Sequence, residues 1–191
     1  MMSQETNLVP DKGKKLIIMV HEGGTHTNLK AIQNAIENGR INAEIVKIIS
    51  DDEDAEAILK NISGDYICLA GWKKIIPESL VANYPDKILN LHPGLIPNDA
   101  RGSVKNPDGT VGLWNKGLYG DKAIQNFLDQ KATFAGSSIH FLTNEFDFGP
   151  VLGRVFEKVI EHDNVNSLYS RLKKKENEMY VEVLEKLCQN V

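Results

Sequence analysis

Asn90 and His92 stand one residue apart at the end of the apolar run "KILNLH", just before the chain bends through Pro93, Gly94 and Pro97. An amide can donate hydrogen bonds to a developing oxyanion, and an imidazole can give or take a proton near neutral pH. If the run is a strand, its side chains alternate and residues 90 and 92 share one face. The pair then either stabilises a structural turn or forms half of an active site. Both readings stand at this level.

A second constellation is "HEGGTHTNL", from His21 to Leu29. A strand followed by glycines, hydroxyls and a helix start can aim the N–H groups around Gly24, Thr25, His26, Thr27 and Asn28 at an anion, helped by the helix dipole. It lacks the Gly-Lys-Ser/Thr of a Walker loop, and its adjacent glycines do not fit G-x-G-x-x-G. The alternative is a plain turn with Thr27 as the helix N-cap. Glu22 opposes an anionic occupant unless its side chain faces away.

Asp147, in "NEFDFGP", is the third candidate. A carboxylate beside His92 favours the imidazolium and raises its pKa, but an aspartate in a turn beside Gly149 is equally commonplace. His140, in "SSIHF", fits a satisfied core histidine as readily as a participant. His21 and His26 flank the glycine turn, and His162 reads as solvent-exposed. No H-x-x-x-H or H-E-x-x-H spacing occurs, so no metal site is expected. Ser137 and Ser138 lie in a strand pattern and not on a strand-to-helix elbow, which disfavours a serine hydrolase.

These residues need a scaffold, and the chain alternates strand and helix patterns. "KKLIIMV", "AEIVKIIS", "DYICLAG" and "KILNLH" are apolar on both faces, with "NLKAIQNAIENG", "DDEDAEAILKNI" and "PESLVANYP" as helices between them. That is the signature of a parallel sheet covered on both sides, whose ligands sit beyond the carboxyl ends of the strands. Pro93 to Gly120 is rich in glycine and has no period, as functional or disordered loops are. A helix "GDKAIQNFLDQ", strands "TFAGSSIHFLT" and "PVLGRVFEKVI", and a final helix from about Asn166 to Gln189 complete the chain. The expected domain runs from 15 to 191, behind a loose tail at 1–14.

The 191 residues carry a formal charge of −4, which gives no reason to expect a nucleic-acid or anionic-membrane surface. No apolar run approaches the roughly 18 residues of a membrane span, and the polar N-terminus has no signal-peptide core. Cys68 and Cys188 read as free thiols in a reducing compartment, so a cytoplasmic protein is expected.

Taken together, the motifs resemble the folate-dependent formyltransferase family. "ILNLHPGLIP" is similar to its Asn-x-His-Pro-Ser-Leu-Leu-Pro signature, and "AGSSIHFLTNEFDFGPVL" to its later Gly-x-x-x-His-Phe-Val … Asp-x-Gly-Pro segment. "CLAGWKKIIP" resembles its Ala-Gly-Phe/Trp segment, and "GGTHTNLKAI" the turn and helix of its glycinamide ribonucleotide branch. The resemblance implies a single-domain, Rossmann-like formyltransferase fold with an antiparallel strand toward the C-terminus. It implies formyl transfer from 10-formyltetrahydrofolate to glycinamide ribonucleotide in purine biosynthesis, without a metal, by a monomer or homodimer.

Carried over by position, Asn90 and His92 match the catalytic pair, and Asp147 the aspartate that raises the histidine pKa. Gly24, Thr25, His26, Thr27 and Asn28 match the phosphate loop, with Lys173 and Glu176 contacting the nucleotide's phosphate and ribose. Lys73, Lys74, Ile75 and Ile76, with Thr143, Asn144, Glu145, Phe146, Asp147 and Asn90, match the folate pocket. Four departures stand out. The phosphate loop is a residue longer, the stretch between Ser50 and Asp65 is shortened, the loop from Pro97 to Tyr119 is lengthened, and Phe148 replaces a small residue. They leave open another amine acceptor such as an amino-sugar nucleotide, a hydrolase using water, or a non-catalytic binding protein.

Overall fold

The computed structural model describes residues 13–189. The first twelve residues of the expected tail lie outside the described residues, and Lys14 already belongs to the first strand. The elements run β1 (Lys14–Val20), α1 (Thr27–Glu37), β2 (Ala43–Ser50), α2 (Ala55–Leu59), β3 (Tyr66–Leu69), α3 (Glu78–Asn83) and β4 (Ile88–His92). They continue with α4 (Gly120–Asp129), β5 (Phe134–Phe141), β6 (Val151–Lys158) and α5 (Val165–Leu187).

Six strands form one sheet in the order β2-β1-β3-β4-β5-β6. The first four are mutually parallel, while β5 runs antiparallel to both β4 and β6. The expected α/β class and its antiparallel strand are therefore present. Alternation along β1 builds two cores. Leu16, Ile18 and Val20 pack with Leu29 and Ile32 of α1 and with Tyr180 and Leu184 of α5. Ile17 and Met19 point the other way, toward Leu59 of α2 and Leu80 of α3. Each such fully buried aliphatic side chain stabilises the fold by about 2 kcal/mol relative to exposure.

The helices differ in detail from the expected ones. α1 begins with Thr27 as its first helical residue, and the N-cap is His26, with a left-handed φ of 53° and no side-chain cap bond. α2 is only five residues long, capped by Asp54, whose carboxylate accepts from Ala57 N at 3.1 Å. Asp51, upstream of it, is bonded to the β1–α1 turn. Among the described residues, no helix is long and apolar enough to cross a membrane.

Candidate active site

Asn90 and His92 project from the end of β4 on the same face, as strand alternation requires. The antiparallel register sets His140 opposite Asn90 and Ser138 opposite His92. Asn90 Nδ2 donates to His140 Nε2 at 3.1 Å. Ser138 Oγ donates to Gly94 O at 2.7 Å and accepts from Ile96 N at 3.0 Å, which fixes the bend after His92. Asp147 is delivered by the β5–β6 connection in a left-handed conformation, φ 48°. Its Oδ1 lies 3.6 Å from His92 Nδ1. Three residues expected to act together are thus brought together.

The loop from Pro97 to Tyr119 is an ordered strap across this wall. Its middle is a small hairpin in which Lys105 bridges Val111 and Asn106 N donates to Thr110 O at 2.9 Å. The returning limb then crosses the site. Trp114 O accepts from His92 Nε2 at 2.7 Å, Trp114 Nε1 donates to Asp147 O at 2.9 Å, and Gly117 N donates to Asp147 Oδ2 at 2.7 Å. Buried Asn115 clamps the limb: its Nδ2 donates to Pro93 O at 2.9 Å and Ala123 O at 3.1 Å, and its Oδ1 accepts from Asn126 at 2.8 Å.

Two departures from the family signature fit this strap. A Cβ on Gly94, where the signature has serine, would lie 1.8 Å from Trp114 O, so glycine admits the close approach. Phe148, replacing a small residue, packs its ring 5.7 Å from that of Trp114.

The electrostatics set the expected upward push of Asp147 against burial. His92 is only 3% exposed, and burial pushes its pKa below the ordinary value. Asp147 and the Trp114 carbonyl push upward, as a carboxylate and a hydrogen-bond acceptor should, but desolvation dominates. The net shift is downward, not upward. Burial, and then the nearby His92, lower His140 to about 4.

The β1–α1 turn is built differently. His21 Nδ1 meets Asp51 Oδ2 at 2.5 Å, and Glu22 N donates to Asp51 Oδ1 at 3.1 Å. These two hydrogen bonds hold the Asp51 carboxyl below the usual range. His26 Nε2 donates to His21 O at 2.8 Å. Gly24 and Thr25 are exposed, Thr27 and Asn28 half-buried, and the buried Asn28 Oδ1 has no hydrogen-bond partner. Thr27 therefore does not cap the helix, and its first amides lack a side-chain cap.

Lys173 and Glu176 lie on the α5 side of the sheet, because Ser137 alternates away from Ser138 and His140. Ser137 Oγ donates to Glu176 Oε1 at 2.6 Å, and burial pushes the Glu176 carboxyl upward. Lys173 Nζ sits 4.4 Å over the Tyr169 ring.

Of the expected folate segments, Lys73, Lys74 and Asn144 are exposed, and Ile75 and Phe146 expose 83% and 58% of their surface. Ile76 instead packs against the core beneath α3. Thr143 Oγ1 donates to Phe148 O at 2.7 Å, and Glu145 pairs with Lys116 at 3.6 Å. An open depression of about 700 Å³ is lined by Asn98, Thr143, Glu145, Phe148, Gly149, Pro150 and Val151.

Pattern reading missed three parts of the site: the Trp114 carbonyl, the Asn115 clamp and the His21–Asp51 pair. The first is a main-chain group with no sequence signal, and the others needed the tertiary fold. Among the described residues, no group of three or more His, Cys, Asp or Glu is placed to hold a metal ion.

The chain is 27% identical over 208 residues to phosphoribosylglycinamide formyltransferase, chloroplastic, of Arabidopsis thaliana, a match covering 92% of this chain and 66% of the relative. It spans 61 to 66% of the length of three such plant relatives. It is 20% identical to formyltetrahydrofolate deformylase 2, mitochondrial, of the same plant, over 91% of this chain and 46% of the relative. The solved glycinamide ribonucleotide transformylase 1 of Symbiobacterium toebii shares the fold, with a TM-score of 0.76 and 24% identity over 96% of this chain and 92% of that one. The pattern described as formyl transferase matches residues 52–184, from the turn before α2 through most of α5 and across Asn90, His92 and Asp147. By that match the chain belongs to the formyl transferase family.

Proposed function

We propose that this protein transfers the formyl group of 10-formyltetrahydrofolate to the primary amine of glycinamide ribonucleotide, a step of purine biosynthesis. The observation that carries the reading is the meeting of Asn90, His92 and Asp147 at the carboxyl end of β4, within the matched segment. The amine nitrogen attacks the formyl carbon and the carbonyl oxygen becomes an oxyanion. Asn90 Nδ2–H and His92 Nε2–H are the donors suited to that oxygen. The bond from the carbon to the folate nitrogen then breaks, and the proton lost by the amine is returned to that nitrogen. Asp147 offsets the burial penalty on a charged His92. His92 Nε2–H is now given to Trp114 O, so this reading requires the strap carbonyl to yield its place to substrate.

The chain's residues fit the folate. Exposed Ile75 and Phe146 suit a flat ring system, and Lys73 and Lys74 suit an anionic tail. The open amides at the start of α1 suit the ribonucleotide's phosphate. The deformylase relative supports a second reading, in which water replaces the amine.

One experiment separates them: follow tetrahydrofolate release from 10-formyltetrahydrofolate with and without glycinamide ribonucleotide. Release only with the nucleotide supports the transferase, and equal release without any amine supports the hydrolase. If the nucleotide has no effect while an amino-sugar nucleotide is formylated, the acceptor assignment is wrong.

A further inference from the structure

We infer that His140 is a positioning residue: as a neutral imidazole protonated on Nδ1, it fixes which way the Asn90 amide faces. The inference rests on the formyl-transfer reading only for its consequence in turnover. Its structural content stands on strand geometry alone.

The sheet carries a fault beside His140. The β5·β6 pairing shifts register between Ile139 and His140, so the ladder is locally broken. The extra residue is Leu152 of β6, so β6 bends at this point while β5 runs on through His140. Beyond the fault, Phe141 N still donates to Pro150 O at 2.9 Å. Phe141 O accepts instead from His140 Nδ1 at 3.0 Å. The chain folds closely here, since a Cβ on Gly149 would lie 2.2 Å from Phe141 O, and only glycine leaves that carbonyl accessible.

A carbonyl can only accept, so Nδ1 must carry a proton. Asn90 Nδ2 can only donate, so Nε2, at 3.1 Å from it, must be the unprotonated nitrogen. Both neighbours therefore select the same tautomer. Its neutrality is supported by the surroundings: the ring is buried, and its charged neighbours are His92 and Asp147. A second imidazolium beside His92 would repel the charge that His92 needs.

The consequence falls on Asn90. Turning its amide by 180° would set Oδ1 against the lone pair of His140 Nε2, two acceptors face to face. One Nδ2–H is thus held by His140, and Oδ1 and the second N–H keep fixed directions toward the reacting groups. Asn90 can then accept from the attacking amine and donate to the oxyanion without reorganising.

The test has two arms. In the first, long-range nitrogen–proton NMR on the unliganded full chain, with ¹⁵N-labelled histidine, reads the His140 ring between pH 6 and 8. The expected signature is the neutral Nδ1–H tautomer. An Nε2–H tautomer or an imidazolium in that range overturns the inference, whatever the enzyme's activity. In the second arm, His140→Met removes the acceptor and His140→Gln offers a carbonyl oxygen near the position of Nε2. With folding checked by circular dichroism, the Met variant should lose about tenfold in kcat at little-changed KM for folate. The Gln variant should recover most of that loss. Equal impairment of both variants, or full kcat in the Met variant, overturns the role in turnover. A wild-type chain without formyl transfer would defeat the proposed function and leave the NMR arm to decide this one.

Discussion

The wall made by β4 and β5 and the turn between β1 and α1 lie at related strand ends, yet they are held in opposite ways. On the wall, the key side chains sit on paired strands, and each is fixed by a neighbour: Asn90 by His140, His92 by Asp147 and Trp114 O. At the turn, one carboxylate, Asp51, holds the loop through His21 and Glu22 N, and the first amides of α1 are left open. The wall lies inside the segment shared with the formyl transferase family, whereas the turn precedes it. If the proposed function holds, the contrast teaches that bond-making chemistry is placed on rigid elements, while recognition of a variable partner is left to a loop that few bonds define.

Substitutions can break or sharpen this contrast. The largest effect is expected on the wall. His92→Ala should lower kcat by about a hundredfold or more, with folate binding still measurable by equilibrium titration. Near-normal turnover would remove His92 from the chemistry. Next comes the strap. Asn115→Ala deletes three hydrogen bonds of a buried side chain at a residue with φ 57°. It should cost about 3 kcal/mol in urea unfolding and shift Trp114 fluorescence. An unchanged midpoint would mean that the clamp is not needed.

A comparable effect is expected from acid. The His140 pKa falls from 6.5 to about 4 in the folded chain, so between those values the unfolded chain binds a proton that the folded one does not. Stability should therefore fall as pH drops through that window, by roughly 3 kcal/mol from this one group. His92 is shifted in the same direction. His140→Gln should flatten the slope of melting temperature against pH, and an identical slope would exclude His140 as its source. The smallest effect belongs to the turn. Asp51→Asn should raise KM for the nucleotide about fivefold and leave KM for folate alone. A fall in kcat instead would show that wall and turn are not separable.

Much of this could be read in the residues. Apolar runs mark β1, β3 and β4 as buried strands, whereas β2, equally apolar, is an edge strand with Ile49 as its one buried residue; the heptad-like Leu168, Leu172, Met179 and Val183 mark α5. Asn90 and His92 were visible as a same-face pair because the strand period is two. Asp147 was legible only through resemblance, since no local pattern ties it to a residue so distant in sequence. His140 stayed ambiguous because its partner depends on the register between β4 and β5. In sequence the strap is an aperiodic, glycine-rich stretch. Its order comes from side-chain bonds to main-chain groups, above all at Asn115, and these leave no period in the sequence.

The contact between Gly94 and the Trp114 carbonyl bears on how inhibitors could be found. In this conformation His92 Nε2 is covered by its own chain, and the depression around Phe148 is not lined by the imidazole. Compounds fitted to that depression would stop short of the imidazole. A more selective lead would carry a carbonyl of its own, competing with residue 114 for the histidine proton. Its preference for this protein over relatives with serine at position 94 would then stem from the missing side chain.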